Sequence, residues 1–180
     1  TVNPTIDWRA IQAEKGALLI EVSRQTGIEI PAFCYYEGLT LQAACRMCLV
    51  EVEKTPKLQV GCTLPVAEGM IVHTESDTVR AARKGTLEFL LTNHPLDCPV
   101  CDKGGECELQ DMVFRYGAGE SRYTERKVHV DEQQWAPEVH FDAPRCSRRD
   151  RGVRAVKEGL GVGAWGVAPR AGECQVARPA

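Results

Sequence analysis

The chain has 180 residues, 43% of them hydrophobic and 26% charged, with a formal net charge of −3. That balance describes an ordinary globular protein and excludes a collagen-like, fibrous or intrinsically disordered chain. No run approaches the roughly 18 apolar residues of a membrane-spanning helix, and Thr1 to Ala10 lacks a charged start followed by an apolar core, so a soluble, intracellular setting is expected.

In chain order, Arg9 to Ala13 reads as a short strand, turned by Glu14-Lys15-Gly16 into a helix from Ala17 to Thr26. Leu18, Leu19 and Val22 share one face of that helix, and Gly27 supplies its stop. Alternating apolar residues predict three further strands, over Cys48 to Val52, Leu58 to Val60 and Met70 to Val72, so a small mixed sheet holding one helix is expected. Ser76 stands where an N-cap belongs, and Val79, Ala82, Thr86, Phe89 and Leu90 then recur at helical spacing until Asn93-His94-Pro95 ends the helix. Residues 118–145 are polar, with one period-2 stretch at Lys127 to Val130, and read as a connecting segment. The composition then changes: residues 1–146 carry 15 basic and 22 acidic side chains, net −7, whereas residues 147–180 carry 7 and 3, net +4.

Nine cysteines without a secretory leader argue for metal binding rather than disulfides, because an odd number cannot all pair and intracellular reductants keep thiols reduced. The first set, Cys34, Cys45, Cys48 and Cys62, is spaced C-x10-C-x2-C-x13-C. Four thiolates can hold a 2Fe-2S cluster, two per iron, and the plant-type ferredoxin spacing has the same grammar with a shorter first gap. A four-cysteine structural zinc site and a set of buried free thiols are the competing readings.

The second set, His94, Cys98, Cys101 and Cys107, is spaced H-x3-C-x2-C-x5-C and contains Gly104-Gly105. It suits a 4Fe-4S cluster with one imidazole ligand, a substitution that makes the site less negative and favours the reduced cluster. The glycines let backbone N–H groups approach sulfur. A zinc site of three cysteines and one histidine has the same donors and remains open on spacing alone.

The segments PAFCYYEGL, CRMCLVEVE, HPLDCPVCDKGGECELQD and EGLGVGAWGV, in this order, resemble the N-terminal part of the large iron-sulfur subunit of respiratory NADH-quinone oxidoreductase, complex I. The resemblance implies that Cys34, Cys45, Cys48 and Cys62 ligate one 2Fe-2S cluster and that His94, Cys98, Cys101 and Cys107 ligate one 4Fe-4S cluster. It also implies an α+β fold: a ferredoxin-like (β-grasp) 2Fe-2S domain over residues 1–76 and a small helical 4Fe-4S-binding domain over 77–117. A connecting segment, 118–145, and a degenerate ferredoxin-like tail, 146–180, would follow. The same pair of sites occurs at the front of iron-only hydrogenases and in the diaphorase part of NAD-reducing hydrogenases.

The family next carries a C-x2-C-x2-C run for a further 4Fe-4S cluster, and here the pattern breaks. Cys146 is present, but the next two ligand positions are Arg149 and Gly152, while Cys174 lies in a tail without a match. The third site is therefore expected to be lost, with Arg148, Arg149, Arg151 and Arg154 standing in its place. Either a lost site or a slipped reading frame around Ser147 to Gly152 accounts for the break. Such a basic run is more commonly a solvated charged face than a nucleic-acid surface, so no nucleic-acid partner is expected. The family's long C-terminal domain has no counterpart, which makes the chain a fragment, a truncated product or a short relative.

No Gly-rich dinucleotide fingerprint, nucleophile triad or carboxylate pair is present, Gly159 to Gly163 following no evident strand. The expected function is electron relay from NADH toward quinone within a complex, without catalysis by this chain alone. The expected partners are other complex I subunits, notably the flavin-bearing NADH-binding subunit. Membrane contact would be indirect, at the cytoplasmic side of the membrane. The alternatives are an electron-transfer subunit of a hydrogenase and a zinc-bound, non-redox binding module.

Overall fold

The computed structural model describes residues 1–129, 131–147, 150–163, 166–168 and 175–177, the last two segments by their backbone alone. The chain divides into two compact units, Thr1–Thr86 and Leu87–Ala180.

The first unit is built on a five-stranded mixed sheet. Its strands are β1 (Thr5–Ile6), β2 (Arg9–Ala10), β3 (Leu49–Val52), β4 (Gln59–Val60) and β5 (Ile71–His73), in the order β2-β1-β5-β3-β4. β1 and β5 run parallel, with Thr5 opposite Ile71, and every other pairing is antiparallel. The period-2 pattern explains the central strand: along β3, Val50 and Val52 are buried while Leu49 and Glu51 are half-buried. β1 escapes the sequence reading because two residues, between Pro4 and Asp7, are too few to show an alternation, and its partner β2 is accordingly shorter than the span Arg9 to Ala13. Ala13 still reaches Val2 through an isolated antiparallel bridge.

Helix α1 (Leu19–Gln25) buries Leu19, Ile20, Val22 and Ser23 against this sheet's core of Ile6, Val50, Val52, Val66 and Val72. It has no side-chain N-cap; instead Leu19 and Ile20 donate their N–H groups to Leu64 O at 2.8 Å and Gly61 O at 3.2 Å. The orphan donors of the helix start are thereby satisfied by the loop that carries Cys62. Gly27, with φ of +76°, ends α1 as expected, and Ile28 N–H returns to Ser23 O at 2.9 Å.

Helix α2 (Asp77–Leu91) begins with Ser76 Oγ accepting from Val79 N–H at 3.4 Å. Val79 and Leu87 on it are fully buried, but Phe89 is 83% exposed, so Phe89 does not belong to the apolar face that helical spacing assigns it. α2 stops where Lys127 Nζ donates to the carbonyls of Leu91 and Thr92, at 2.6 and 2.9 Å.

In the second unit a single 3-10 turn (Cys98–Val100) and helix α3 (Glu108–Tyr116) enclose the second sulfur loop. The polar segment after α3 is tied back by Arg122 to Glu88 at 2.7 Å and by Val128 N–H to Asn93 Oδ1 at 3.0 Å. The period-2 reading of Lys127 to Val130 fails: Lys127, Val128 and His129 form no strand, and Val130 lies outside the described residues. A hairpin follows instead, of β6 (Gln133–Ala136) and β7 (Val139–Phe141), with Trp135 stacked on Phe141 at 4.3 Å. Beyond it come α4 (Arg151–Arg154), running on into a π-helical turn over Ala155–Gly159, and a last antiparallel pair, β8 (Gly166–Ala168) with β9 (Gln175–Ala177).

Candidate iron-sulfur sites

The segment Pro31-Ala32-Phe33 leads into a bend that delivers Cys34 to the first unit's core, and a long loop returns the chain to Cys45 and Cys48 at the entrance to β3. Ala43 and Arg46, one on each side of Cys45, have φ of +54° and +58°. Left-handed backbone at two non-glycine residues is held by its surroundings, and strain of that kind gathers at functional loops. Cys62 sits in the turn after β4, where Gly61 N–H donates to Cys48 O at 2.9 Å.

The fold brings these four thiols together. Cys34 is in side-chain hydrogen-bonding contact with Cys45 and Cys62, and Cys62 also with Cys48. Cys34, Cys48 and Cys62 are buried and Cys45 is half-buried. Cys45 Sγ also accepts the backbone N–H groups of Phe33 at 3.3 Å and Cys34 at 3.4 Å. Hydrogen bonds from Cys45 and then Cys62 hold the Cys34 thiol far below its ordinary range, and the Cys62 contact lowers Cys48 likewise. The same contacts, with burial, push Cys45 and Cys62 up. Sulfurs packed this closely share protons, so their titration belongs to the group rather than to any one residue.

The donor set fits a two-iron group: two neighbouring pairs, Cys34 with Cys45 and Cys48 with Cys62, each receiving backbone N–H bonds that thiolate sulfur strengthens. Among the described residues, no three His, Cys, Asp or Glu side chains are set to hold one single metal ion. Tyr35, beside Cys34, donates its hydroxyl to Glu21 Oε1 at 2.7 Å, with the Arg24 guanidinium 5.8 Å from its ring centre. Burial first, then this bond, push the Tyr35 hydroxyl up to about 12, so it stays a donor through the neutral range.

The second set is arranged around a cavity. His94, Cys98, Cys101 and Cys107 all line one cavity of about 410 Å³, whose apolar wall includes Leu91, Leu109, Val113 and Phe114. Cys98 is exposed, while Cys101 and Cys107 are half-buried. The loop turns on backbone bonds, Val100 N–H to Asp97 O at 2.9 Å and Gly104 N–H to Cys101 O at 2.8 Å. At Gly104 a Cβ would lie 2.5 Å from Cys98 O and 3.1 Å from Cys101 O, so only glycine passes there. A walled cavity with one imidazole and three thiols converging on it fits a cubane cluster in size and donor chemistry.

Cys146 also lines that cavity, between Arg145 and Ser147. Arg145 pairs with Asp142 at 3.0 Å and Asp97 at 3.5 Å. Downstream the basic run is not a uniformly solvated face: Arg154 is 4% exposed and paired with Asp150, and Arg151 reaches Glu108 on α3 at 2.9 Å. Arg148, Arg149 and Cys174 lie outside the described residues.

Sequence spacing missed one residue of the first site. Arg83 is fully buried on α2 and donates to the carbonyls of Met47 and Leu49, on either side of Cys48. The signal was available: Val79, Arg83 and Leu87 follow each other at intervals of four, so Arg83 falls on the buried stripe.

A family model described as a 2Fe-2S iron-sulfur cluster binding domain matches residues 1–77, and one described as the NADH-ubiquinone oxidoreductase-G iron-sulfur binding region matches residues 83–122. The G subunit of NADH-quinone oxidoreductase from Rickettsia bellii is 42% identical over 172 residues, 96% of this chain and 25% of that protein. The NADH-ubiquinone oxidoreductase 75 kDa subunit of Reclinomonas americana is 44% identical over 175 residues, 97% of this chain and 25% of that one. The chain thus spans about a quarter of the length of these curated relatives. Among solved structures, an NAD+-reducing [NiFe]-hydrogenase in its H2-reduced state superposes with a TM-score of 0.89 at 26% identity, over 99% of this chain and 75% of that chain. No helix among the described residues is long and apolar enough to cross a membrane.

Proposed function

Since the chain belongs to the family of the NADH-quinone oxidoreductase large iron-sulfur subunit, matching its N-terminal iron-sulfur region, we propose that it relays electrons through one 2Fe-2S and one 4Fe-4S cluster between an NADH-oxidising flavin subunit and the path to quinone. Cys34 and Cys45 would hold one iron of the first cluster and Cys48 and Cys62 the other. His94, Cys98, Cys101 and Cys107 would hold the second cluster. The observation that carries the reading is the quartet of contacting thiols, three buried and one half-buried, at the edge of a β-grasp core and fed by backbone N–H groups.

When bound, the clusters supply one-electron chemistry, accepting and passing single electrons without substrate binding. The protein's own part is electrostatic and steric. Phe33 and Cys34 N–H groups offset negative charge on Cys45 sulfur, and burial of Cys34, Cys48 and Cys62 keeps solvent from the first site. His94, neutral when it ligates, makes the second site less negative than four thiolates would. That Cys146 is the one remaining cysteine of the third pattern, with Arg151 and Arg154 paired to carboxylates, supports the loss of a further cubane. Partners are the flavin-bearing subunit and its neighbours, and membrane contact at the cytoplasmic face is indirect.

Anaerobic purification with iron and sulfide assays and electron paramagnetic resonance of the reduced chain tests this. Two distinct signals with about six irons per chain are expected; about ten irons would restore a third cluster, and a colourless zinc protein would refute the relay altogether. The likeness to the NAD+-reducing [NiFe]-hydrogenase supports a second reading, electron transfer within a hydrogenase. Copurification from the native host with quinone-pathway membrane subunits favours the first, and with hydrogenase subunits the second.

A further inference from the structure

Arg83 is buried to zero exposure, and a guanidinium is stable in such a place only where its N–H groups find acceptors. Two backbone carbonyls and a carboxylate are among them. Nε donates to Met47 O at 3.1 Å, Nη2 to Leu49 O at 3.2 Å, and Nη1 to Glu75 Oε1 at 2.8 Å. Met47 and Leu49 are the residues immediately before and after Cys48, and all of Met47, Cys48 and Arg83 are fully buried. The planar fork therefore straddles one cysteine, fixing the peptide on each side of it. Cys48 O is itself held by Gly61 N–H, the residue before Cys62. Glu75 in turn is shared with Arg80 at 2.7 Å, which steadies the carboxylate that orients the fork.

We propose that Arg83 is a positioning residue for Cys48, locking both flanking carbonyls so that the thiolate meets its iron in a single orientation. This rests on the assignment of Cys48 to the 2Fe-2S cluster. The fork rather than the charge carries the role: a lysine ammonium is a point donor and cannot span two carbonyls while also meeting Glu75. A ligand whose backbone can rock lets its iron exchange more readily and broadens the distribution of cluster geometries.

The test uses the full chain carrying both clusters, with Arg83→Lys, Arg83→Met and, as a surface control on the same helix, Lys84→Gln. In Arg83→Lys the resonance signal of the 2Fe-2S cluster is expected to broaden or shift its g values, and its iron to pass to a chelator at least tenfold faster. The 4Fe-4S signal serves as an internal standard and stays as in the unaltered chain, as does everything in Lys84→Gln. Arg83→Met should match or exceed the lysine effect. An Arg83→Lys chain with the unaltered spectrum and release rate overturns the proposal, and so does equal damage to both clusters or loss of far-ultraviolet circular dichroism in that variant, which would mark a general folding role. An unaltered chain that shows no 2Fe-2S signal overturns the cluster reading and this proposal with it.

Discussion

In the first unit, Cys34, Cys48 and Cys62 are as buried as the valines around them, and Cys48 and Cys62 are members of the hydrophobic core. In the second, Cys98 is exposed, Cys101 and Cys107 are half-buried, and the four donors line one cavity. The first quartet is assembled by contacts far apart in sequence: β3 against β4, Gly61 against Cys48, Arg83 against Met47 and Leu49. The second spans fourteen residues and is shaped by a 3-10 turn and the start of α3. A site of the first kind is built by the fold before any iron arrives, whereas one of the second kind leans on its metal to hold the loop closed.

The largest effect that would break this contrast is ligand deletion. Cys48→Ser is expected to abolish the 2Fe-2S signal and lower iron by about two per chain, and Cys98→Ser to abolish the 4Fe-4S signal and lower it by about four, each leaving the other signal intact. If either substitution removes both signals, the sites are not independent and the contrast between the units collapses.

Iron withdrawal comes next. After chelation, amides of residues 94–116 are expected to lose hydrogen-exchange protection by more than tenfold, while those of β3, β5 and α1 keep theirs, because a core of Ile6, Leu19, Val50 and Val72 does not depend on metal. Equal loss in both units would show that the first site, too, is folded by its cluster.

A smaller and more local change sharpens the same point. Gly104→Ala places a methyl 2.5 Å from Cys98 O, a backbone atom with no freedom to swing aside, so the loop must open. The expected outcome is a 4Fe-4S occupancy reduced at least several-fold, with the thermal midpoint of the first unit unchanged by calorimetry. Full occupancy in Gly104→Ala would mean that the loop tolerates rearrangement once the cluster is bound.

How much of this was legible in the sequence follows the same division. The second site is local, so spacing alone put His94, Cys98, Cys101 and Cys107 within reach of one centre, and all four line the cavity. Spacing also grouped the four cysteines that the fold brings into contact, but what holds them was not legible: Arg83 lies 35 residues beyond Cys48, and no local pattern couples a helix residue to the carbonyls of a distant loop. β3 and β5 were visible because one face is buried and alternation follows. The hairpin of β6 and β7 was hidden because its residues are mostly exposed, and apart from the Trp135 and Phe141 stack nothing apolar marks a face. Helix α3 had the signal, Leu109, Val113 and Tyr116 at helical intervals, within a segment whose cysteines drew the reading.

The smallest expected effect concerns how the first ligand loop is tethered. Tyr35 follows Cys34 directly, and its hydroxyl reaches Glu21 on α1, the helix whose first N–H groups bond the Cys62 loop. One side chain thus links the segments bearing Cys34 and Cys62 through α1. Tyr35→Phe keeps the buried ring and removes only the hydroxyl, so packing is preserved and what is lost is a hydrogen bond to a carboxylate, about 1.5 to 3 kcal/mol in general. Glu21 is half-buried and regains water when its partner leaves, which puts the expected loss near the bottom of that range, at roughly 1.5 kcal/mol. Denaturant unfolding of the iron-free chain, followed at the first unit, measures it, with the second unit unaffected. A loss of the 2Fe-2S signal in Tyr35→Phe would show that a single hydroxyl governs assembly, and the first site would then be as dependent on its ligand loop as the second.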